Sequence, residues 1–409
     1  MAKNYAAAYN DVNDSSALEQ RFYLTEELVA GVVQIPVNTS FFYSKSGGSL
    51  SFTQANNSSS HRSGRHNNNT IVDKSSSEWS LSTYFNIDEL AVNGAASIDL
   101  PIKWLLKSLL GKQVLTTDAV YDTSVTPGYY ASIFEVGDKW SKQSRGAWVD
   151  GCKMSFPGDG QAMSDWSGKA FDVLFCGISK SVTANIANTV TVALGEGKRF
   201  PVGSQVMIIK ADGVTRSTDT AAGTARKVVS VSGDIVTLSG AVLADADGSV
   251  ALTPVYLSYY EPAAPTAIDN PVVGLVGDFT ADRLPLGYCL RKLELDIQNN
   301  HEVKNYCYGH DGIEGFVPGG RVNIGVSADL NLSSDLVEFY NDVRARLPNN
   351  WLLKLGSSTG RHLEILLPKI IFQVPAITVP ETGSIPVTFS GTAYQTALDA
   401  ADEIKVSFK

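Results

Sequence analysis

Few residues in this sequence could carry chemistry, and the five histidines are the first to consider. They are His61, His66, His301, His310 and His362, and no two share metal-ligand spacing on one predicted element. The tract from His61 to His66 (HRSGRH) has the composition of a small nucleic-acid or metal-binding patch. Its Ser- and Asn-rich surroundings offer no aromatic side chains on which bases would stack. We interpret it as a solvated or intersubunit loop.

Three further motifs resemble binding or catalytic signatures, but each lacks an essential part. Asp245-Ala246-Asp247-Gly248 begins like a calcium loop, yet no Glu follows at the twelfth position. Gly195-Glu196-Gly197-Lys198 lacks the spacing and the Ser or Thr of a phosphate loop. Trp166-Ser167-Gly168 is not a nucleophile elbow. We interpret the first two as turns and the third as a strand, and predict a non-enzyme with no catalytic centre, metal or cofactor.

Composition and charge narrow the function classes further. The 409 residues are 44% hydrophobic and 18% charged, which is typical of a globular protein of more than one domain. The formal net charge of −9 argues against tight nucleic-acid binding, which depends on clustered Lys and Arg. No signal-peptide pattern or long apolar run is present, so we expect synthesis in the cytoplasm and no membrane association.

The four cysteines have no C-x-x-C spacing and lie in apolar or aromatic surroundings, which favours buried free thiols. They are Cys152, Cys176, Cys289 and Cys307.

The elements that must position any functional residue come in two copies. The segment 50–57 (LSFTQANN) returns as 293–300 (LELDIQNN), and 166–171 (WSGKAF) returns in the same order as 389–394 (FSGTAY). The first match has a shift of 243 residues, which also aligns Trp79 with Val322. The second match has a shift of 223, so the first copy carries 20 extra residues. Two copies with nothing catalytic repeated indicate a building block of a symmetric assembly.

Alternating apolar residues bounded by Gly, Asn and Pro predict antiparallel strands in both copies. The segment 292–297, for example, places Leu293, Leu295 and Ile297 on one face. Each copy also has one predicted helix, the first beginning near Pro101 and ending at Gly111, the second capped by Ser333 and ending before Pro348. The fold class is therefore mainly β: two tandem β-sandwich or barrel domains, each with one flanking helix.

Two long polar loops and one insert complete the predicted organisation. The loops, residues 56–77 and 300–320, are long enough to indicate a functional role or ordering by a partner. A Val-, Thr-, Gly- and Asp-rich stretch has no counterpart in the second copy and predicts a small all-β module. We therefore divide the chain into a first domain (1–181), an inserted domain (182–257) and a second domain (258–409).

The C-terminal copy resembles the tail tube proteins of long-tailed bacteriophages. The resemblance covers about 150 residues, carried by LELDIQNNHEVKNYCYGHDGIEGFVPGGRVNIGVSADL, LEILLPKIIFQVPAI, IPVTFSGTAY and IKVSFK. Through the repeat it extends more weakly over most of residues 18–180. The resemblance implies domains that form six-membered rings around a channel, with a long loop bridging adjacent rings.

If two tube domains are fused, three chains complete one ring, so the resemblance implies a homotrimer stacked into a tube. Tape measure, tail terminator and tail tip proteins are the implied partners, and the virion tail is the implied location. DNA would pass through without specific binding, past an acidic wall that repels it. The inserted domain should project away from the channel.

The resemblance also suggests which residues serve each role. Lumen-facing candidates are Glu294, Asp296, Ser51 and Thr53. Inter-ring loop candidates are Asn57, His61, Arg62, Arg65, His66, Lys304, His310 and Glu314. Two alternatives stay open: another tail component with the tube fold, such as a terminator or baseplate protein, and a glycan-binding β protein.

Overall fold

The computed structural model describes most of the chain and is built mainly from antiparallel strands. The described residues are 3–16, 19–45, 47–54, 56–58, 70–72, 74–85, 101–115, 119–124, 128–183, 187–217, 225–240, 242, 254–262, 277–284, 288, 290–304, 312–357 and 361–408. The described helices are α1 (Tyr5–Asn10), α2 (Pro101–Leu110) and α3 (Ser334–Arg344). The predicted mainly-β fold class is confirmed.

The first copy is a two-sheet sandwich. Its strands are β1 (Arg21–Glu26), β2 (Phe41–Phe42), β3 (Ser49–Thr53), β4 (Asn56–Ser58), β5 (Thr70–Val72), β6 (Ser76–Tyr84), β7 (Gly111–Leu115), β8 (Ala119–Thr123), β9 (Ala131–Val136), β10 (Ser141–Arg145), β11 (Trp148–Pro157), β12 (Met163–Ala170) and β13 (Asp172–Cys176). One sheet has the order β3-β6-β12-β11 and the other β13-β10-β9-β1-β2.

The inserted domain follows, and then the second copy. The insert has strands β14 (Ile178–Lys180), β15 (Thr189–Thr191), β16 (Gln205–Ile209), β17 (Arg226–Ser232), β18 (Ile235–Leu238) and β19 (Tyr256–Tyr259). The second copy has strands β20 (Gly277–Ala281), β21 (Leu290–Gln298), β22 (His301–Lys304), β23 (Gly315–Pro318), β24 (Asn323–Asn331), β25 (Asn349–Ser357), β26 (Arg361–Phe372), β27 (Pro386–Ala393) and β28 (Lys405–Phe408).

Strand order relates the two copies more closely than their sequences do. The order β3-β6-β12-β11 of the first copy corresponds to β21-β24-β27-β26 of the second, and β13-β10-β9-β1 corresponds to β28-β26-β25-β20. The long strand β26 belongs to both sheets of its copy. In the first copy two separate strands, β10 and β11, occupy the equivalent positions. Both copies are therefore the same sandwich, with the helix α2 or α3 at the same point along the chain.

A pair of glycines occupies the same place in both copies. A side-chain carbon added to Gly168 would lie 1.9 Å from the carbonyl oxygen of Trp148, and one added to Gly391 would lie 2.7 Å from that of Ile371. Only a residue without a side chain permits this close approach of neighbouring strands. The repeated Ser-Gly motif is thus structural, as its strand interpretation predicted.

The strand pairing corrects the first sequence match by two residues. Trp79 lies opposite Gly168 and Val326 lies opposite Gly391, so β6 and β24 correspond with a shift of 247. Leu50 pairs with Trp79 and Leu295 pairs with Val326, so β3 and β21 correspond with a shift of 245 rather than 243. The alignment of Trp79 with Val322 was wrong. Because strand side chains alternate between faces, a two-residue slip leaves each position on its predicted face.

The two copies are joined edge to edge into one sheet. Residues Gly151–Pro157 of β11 pair antiparallel with Lys292–Gln298 of β21, giving the eight-strand order β3-β6-β12-β11-β21-β24-β27-β26. A second connection pairs β8 of the first copy with β28 of the second. The hairpin β7–β8, which has no counterpart in the second copy, thus extends that copy's β28-β26-β25-β20 sheet. One apolar core runs through both copies.

Both predicted helices are confirmed where they are described. Helix α2 ends at Leu110, and the next residue, Gly111, has a φ of +85°. Helix α3 is capped by Ser333, whose hydroxyl accepts a hydrogen bond from the backbone N–H of Leu336.

The inserted domain forms a small six-stranded barrel on the outside of the first copy. Its order is β14-β19-β16-β17-β18-β15, and a bridge between Ser181 and Val192 closes the ring. It therefore begins and ends a few residues outside the predicted 182–257. Its core includes Tyr23 and Phe134, which project from the outer face of the β1–β9 sheet. The eight-stranded sheet lies on the opposite side of that sandwich.

The N-terminal segment and the buried Glu261 tie the insert to the first copy. The Glu261 carboxylate accepts hydrogen bonds from Arg21 (2.7 Å) and Tyr5 (3.2 Å). Cys152 and Cys176 are buried free thiols, as predicted, and burial raises the pKa of Cys176 to about 12. Cys289 and Cys307 lie outside the described residues.

Replacing Gly168 with Ala should destabilise the fold strongly, because the new methyl group meets a backbone carbonyl that cannot move without breaking the β11–β12 ladder. We expect a loss of about 3 kcal/mol or more in the free energy of unfolding, and a smaller loss for Gly391→Ala. Gly325→Ala in the neighbouring strand is the control, since its added carbon lies 3.7 Å from its nearest neighbours. Equal denaturation midpoints for Gly168→Ala and Gly325→Ala would contradict this account.

Candidate functional site: the polar face of the eight-stranded sheet

The eight-stranded sheet has one apolar and one polar face. Along β12 the side chains of Ser164, Trp166 and Ala170 are buried in the sandwich, whereas Asp165 and Ser167 between them are exposed. Strands β6, β21, β24 and β27 alternate in the same way. The face turned away from the core is the polar face.

Residues of the polar face form rows across neighbouring strands. The first row is Ser49, Ser80, Ser167, Gly151, Gln298 and Asn323. The second is Ser82, Asp165, Lys153, Asp296, Gly325 and Thr392. The third includes Ser155, Glu294, Ser327 and Ser390. These side chains are small, polar or charged, and the three rows cross from one copy to the other without interruption.

Charges concentrate where the copies meet. Lys153 lies between Asp165 and Asp296 in the second row. The Glu294 carboxylate lies 2.7 Å from the Lys292 ammonium and 3.7 Å from that of Lys153. The hydrogen bond from Lys292 is the main cause that lowers the pKa of Glu294. With three carboxylates and one ammonium group, the three rows carry a net charge of −2.

All four lumen-facing candidates lie on the polar face. Glu294 and Asp296 belong to its rows, and the exposed Ser51 and Thr53 occupy the same face of β3. The hydroxyls of Ser51 and Thr53 donate to backbone carbonyls of β6, at 3.1 and 3.3 Å. Asp165 and Lys153 belong to the same face but were missed, because placing them requires the register of strands that are distant in sequence.

The two predicted long polar loops are hairpins where they are described. In the first copy β4 pairs with β5, and in the second β22 pairs with β23. Lys304 and Glu314 lie at the end of the second hairpin, where the Glu314 N–H donates to the Lys304 carbonyl (2.9 Å). Asn57 lies in β4. The candidates His61, His66, His310, Arg62 and Arg65 lie outside the described residues.

The second hairpin packs against the first copy of its own chain. Phe316 stacks on Trp148 with ring centroids 4.8 Å apart, and its ring also contacts His301. Asp150 accepts a hydrogen bond from the backbone N–H of His301 (3.1 Å). Burial alone would raise the pKa of Asp150, but the hydrogen bonds from His301 outweigh it and lower the pKa. The hairpin base is thus part of the junction between the copies.

Among the described strands, the eight-strand path has a free edge along β3, and at its other end Ile371 and Phe372 of β26 pair with β27 alone, since the rest of β26 pairs with β25 or β28. At one end, β3 pairs only with β6 among the described strands. On the outer edge of β3, the N–H of Leu50 donates to the Glu135 carboxylate (3.0 Å), which also contacts Lys142. At the other end, β26 stops at Phe372, and residues 374–380 that follow belong to no described sheet. Unpaired edges of this kind are templates for strand addition.

Within the described ranges, no group of three or more His, Cys, Asp or Glu residues is arranged to hold a metal ion. No described helix is long and apolar enough to cross a membrane. The histidines His301 and His362 each contact one carboxylate, Asp150 and Glu364 respectively.

Comparison with protein-family models and with curated proteins found no match to this chain.

Removing the Glu294 charge should cost stability only at neutral pH. The folded protein lowers the pKa of Glu294, so its contribution is present above the unfolded value of 4.5 and is lost as the pH falls through the folded pKa. We expect Glu294→Gln to lower the free energy of unfolding by about 0.5 kcal/mol at pH 7 and by less near pH 3. A double-mutant cycle with Lys292→Met isolates the pair, and a coupling energy that does not fall with pH would contradict the prediction.

Proposed function

We propose that this protein is the structural subunit of a bacteriophage tail tube, in which three chains close their eight-stranded sheets into a ring and rings stack into a tube. The observation that carries the proposal is the single sheet built from two equivalent halves, buried on one face and polar on the other, whose strand β3 and the segment after Phe372 have no further partner among the described strands. The resemblance of the C-terminal copy to tail tube proteins supports the same function.

The internal junction supports closure by repetition. The first copy joins the second through an edge-to-edge ladder, and equivalent edges are left over at the two ends of the sheet. Repeating the same relation from chain to chain places copies around a common axis, and such contacts form a ring when the rotation closes. Six equivalent domains correspond to three chains. Closure also removes the exposed edges that otherwise favour aggregation.

The dimensions suit a channel for DNA. Three chains with eight strands each supply 24 strands. With strands about 4.8 Å apart and tilted by about 40°, a closed wall has a backbone diameter of about 45–50 Å. Side chains that extend about 5 Å inward leave a channel of about 35 Å, wide enough to pass a hydrated DNA duplex.

The chemistry of the polar face suits passage without binding. Its three rows hold Ser, Thr, Gly, Asn and Gln with a net charge of −2, and no aromatic side chain for bases to stack on. A wall of small neutral groups and excess negative charge repels phosphates and offers no strong local contact. The inserted barrel lies on the far side of the first sandwich and would decorate the outside of the tube.

The proposed location is the virion tail. The proposed partners are further copies of the chain, a tape measure protein inside the tube, and terminator and tip proteins at its ends. The β4–β5 and β22–β23 hairpins leave the sheet at equivalent points and would contribute to stacking between rings.

Electron microscopy of the concentrated protein, with light scattering on the same sample, tests the proposal. We expect hollow rings or tubes whose smallest unit has the mass of three 43.8 kDa chains, about 131 kDa. The matched control is Leu295→Asp, which places a buried charge in the internal junction and should abolish ring formation. Rings of six whole chains, or a protein that stays monomeric at every concentration, would contradict the proposal.

A further inference from the structure

The segment that follows β26 has the features of a strand without a partner. The N–H of Gln373 still donates to the carbonyl of Ser390 in β27 (2.8 Å), but residues 374–380 belong to no described helix or sheet. They nevertheless expose apolar side chains, with Val374 at 48%, Ile377 at 42% and Val379 at 69% of full exposure. Isolated exposed apolar residues are common, but Ile377 and Val379 are two residues apart and would share one face of a strand, which marks a surface for another chain.

The first copy shows what this segment does when it has a partner. The hairpin β11–β12 and the segment 371–393 correspond with a constant shift of 223. The carbonyl of Trp148 lies against Gly168 as that of Ile371 lies against Gly391. Strand β12 (Met163–Ala170) corresponds to β27 (Pro386–Ala393). The backbone bonds from Phe85 to Ala162 and from Leu332 to Ile385 agree with the same shifts. Segment 374–380 is therefore the counterpart of Gly151–Pro157, the part of β11 that pairs with β21.

Apolar side chains are buried in the paired segment 151–157 and exposed in its unpaired counterpart 374–380. Met154 and Phe156 are 0% and 4% exposed at the internal junction, whereas their equivalents Ile377 and Val379 are 42% and 69% exposed. On the opposite edge, Phe52 of β3 is 47% exposed, whereas its equivalent in β21, Ile297, is fully buried. Both unpaired edges thus expose the apolar positions that the internal junction buries.

We propose that residues 374–380 of one chain add to β3 of the next, antiparallel and in the register of the internal junction. The pair Lys153–Asp296 of that junction then becomes Ala376 of one chain opposite Ser51 of its neighbour, and Met154–Leu295 becomes Ile377 opposite Leu50. This inference rests on the proposed ring and specifies the contact that closes it.

Prolines in the segment are compatible with this pairing. Pro380 corresponds to Pro157, which already lies at the end of the internal ladder opposite Lys292. Pro375 has no N–H to donate, so its pair with Phe52 has one hydrogen bond fewer than the equivalent pair Cys152–Ile297. Prolines on an edge hinder unintended strand pairing, and apolar contact with Phe52 offsets the missing bond.

The incoming strand has to displace two side chains from the edge of β3. Glu135 accepts the N–H of Leu50, and the Gln20 side chain donates to the carbonyl of Gly48 (3.2 Å). Glu135 retains Lys142 and Gln20 as partners when the Leu50 N–H is taken by the new strand. The edge is therefore closed by side chains in the free chain and opens only to a strand that replaces both contacts.

Disulfide trapping between two differently substituted chains tests the register. One chain carries Ser51→Cys and the other Ala376→Cys, and the two are mixed, assembled and oxidised. The N–H of Leu50 points to the outer edge, so Ser51 and Ala376 would form a non-hydrogen-bonded pair with Cα atoms about 4.5 Å apart, within disulfide range. We expect a disulfide-linked dimer, absent from either chain alone and from unsubstituted chains.

A two-residue shift provides the matched control. Thr378→Cys replaces Ala376→Cys, which moves the two Cα atoms to about 7–8 Å and lowers the dimer yield by about tenfold or more. Electron microscopy of the same samples separates the two proposals. Rings in which the shifted pair reacts and the registered pair does not would overturn the register while leaving the proposed function intact. Efficient trapping in assemblies without a channel would support the register and overturn the proposed function.

Discussion

The ladder between β11 and β21 is the contact on which the rest of the structure depends. It pairs Gly151–Pro157 with Lys292–Gln298 and turns two four-stranded sheets into one sheet of eight. It joins β11, at one edge of the first copy's sheet, to β21, at one edge of the second copy's sheet. The opposite edges, at β3 and at the end of β26, are not used by this contact. In the proposed ring, β3 of one chain and residues 374–380 of the next repeat this contact.

The alternation of side chains explains how one sheet serves two purposes. Every second residue of its longer strands is buried in a core shared by both copies, and the residues between form the polar face. Additions to the basic sandwich lie away from that face: the inserted barrel packs on Tyr23 and Phe134, and the β7–β8 hairpin extends the outer sheet of the second copy. The polar face therefore remains open, as the proposed channel wall requires.

Local sequence patterns predicted the helices and strands well, but they did not predict which strands pair when these are distant in sequence. The alternation in β21 and the cap of α3 at Ser333 identified both elements. The resemblance, together with this alternation, placed Glu294, Asp296, Ser51 and Thr53 on one face. The sequence alignment of β3 with its equivalent β21 was wrong by two residues. Residues two positions apart share a face of a strand, so sequence similarity does not distinguish the two alignments. Sequence also gave no sign that β8 pairs with β28, since that contact is tertiary.

A cryo-electron microscopy reconstruction of the assembled protein tests the central claim most directly, because it resolves how many strands each chain contributes to the wall. The account predicts a threefold-symmetric ring of 24 strands, eight from each chain, with the polar face turned inward. A ring in which each chain contributes the strands of only one copy, or in which the polar face turns outward, would contradict it.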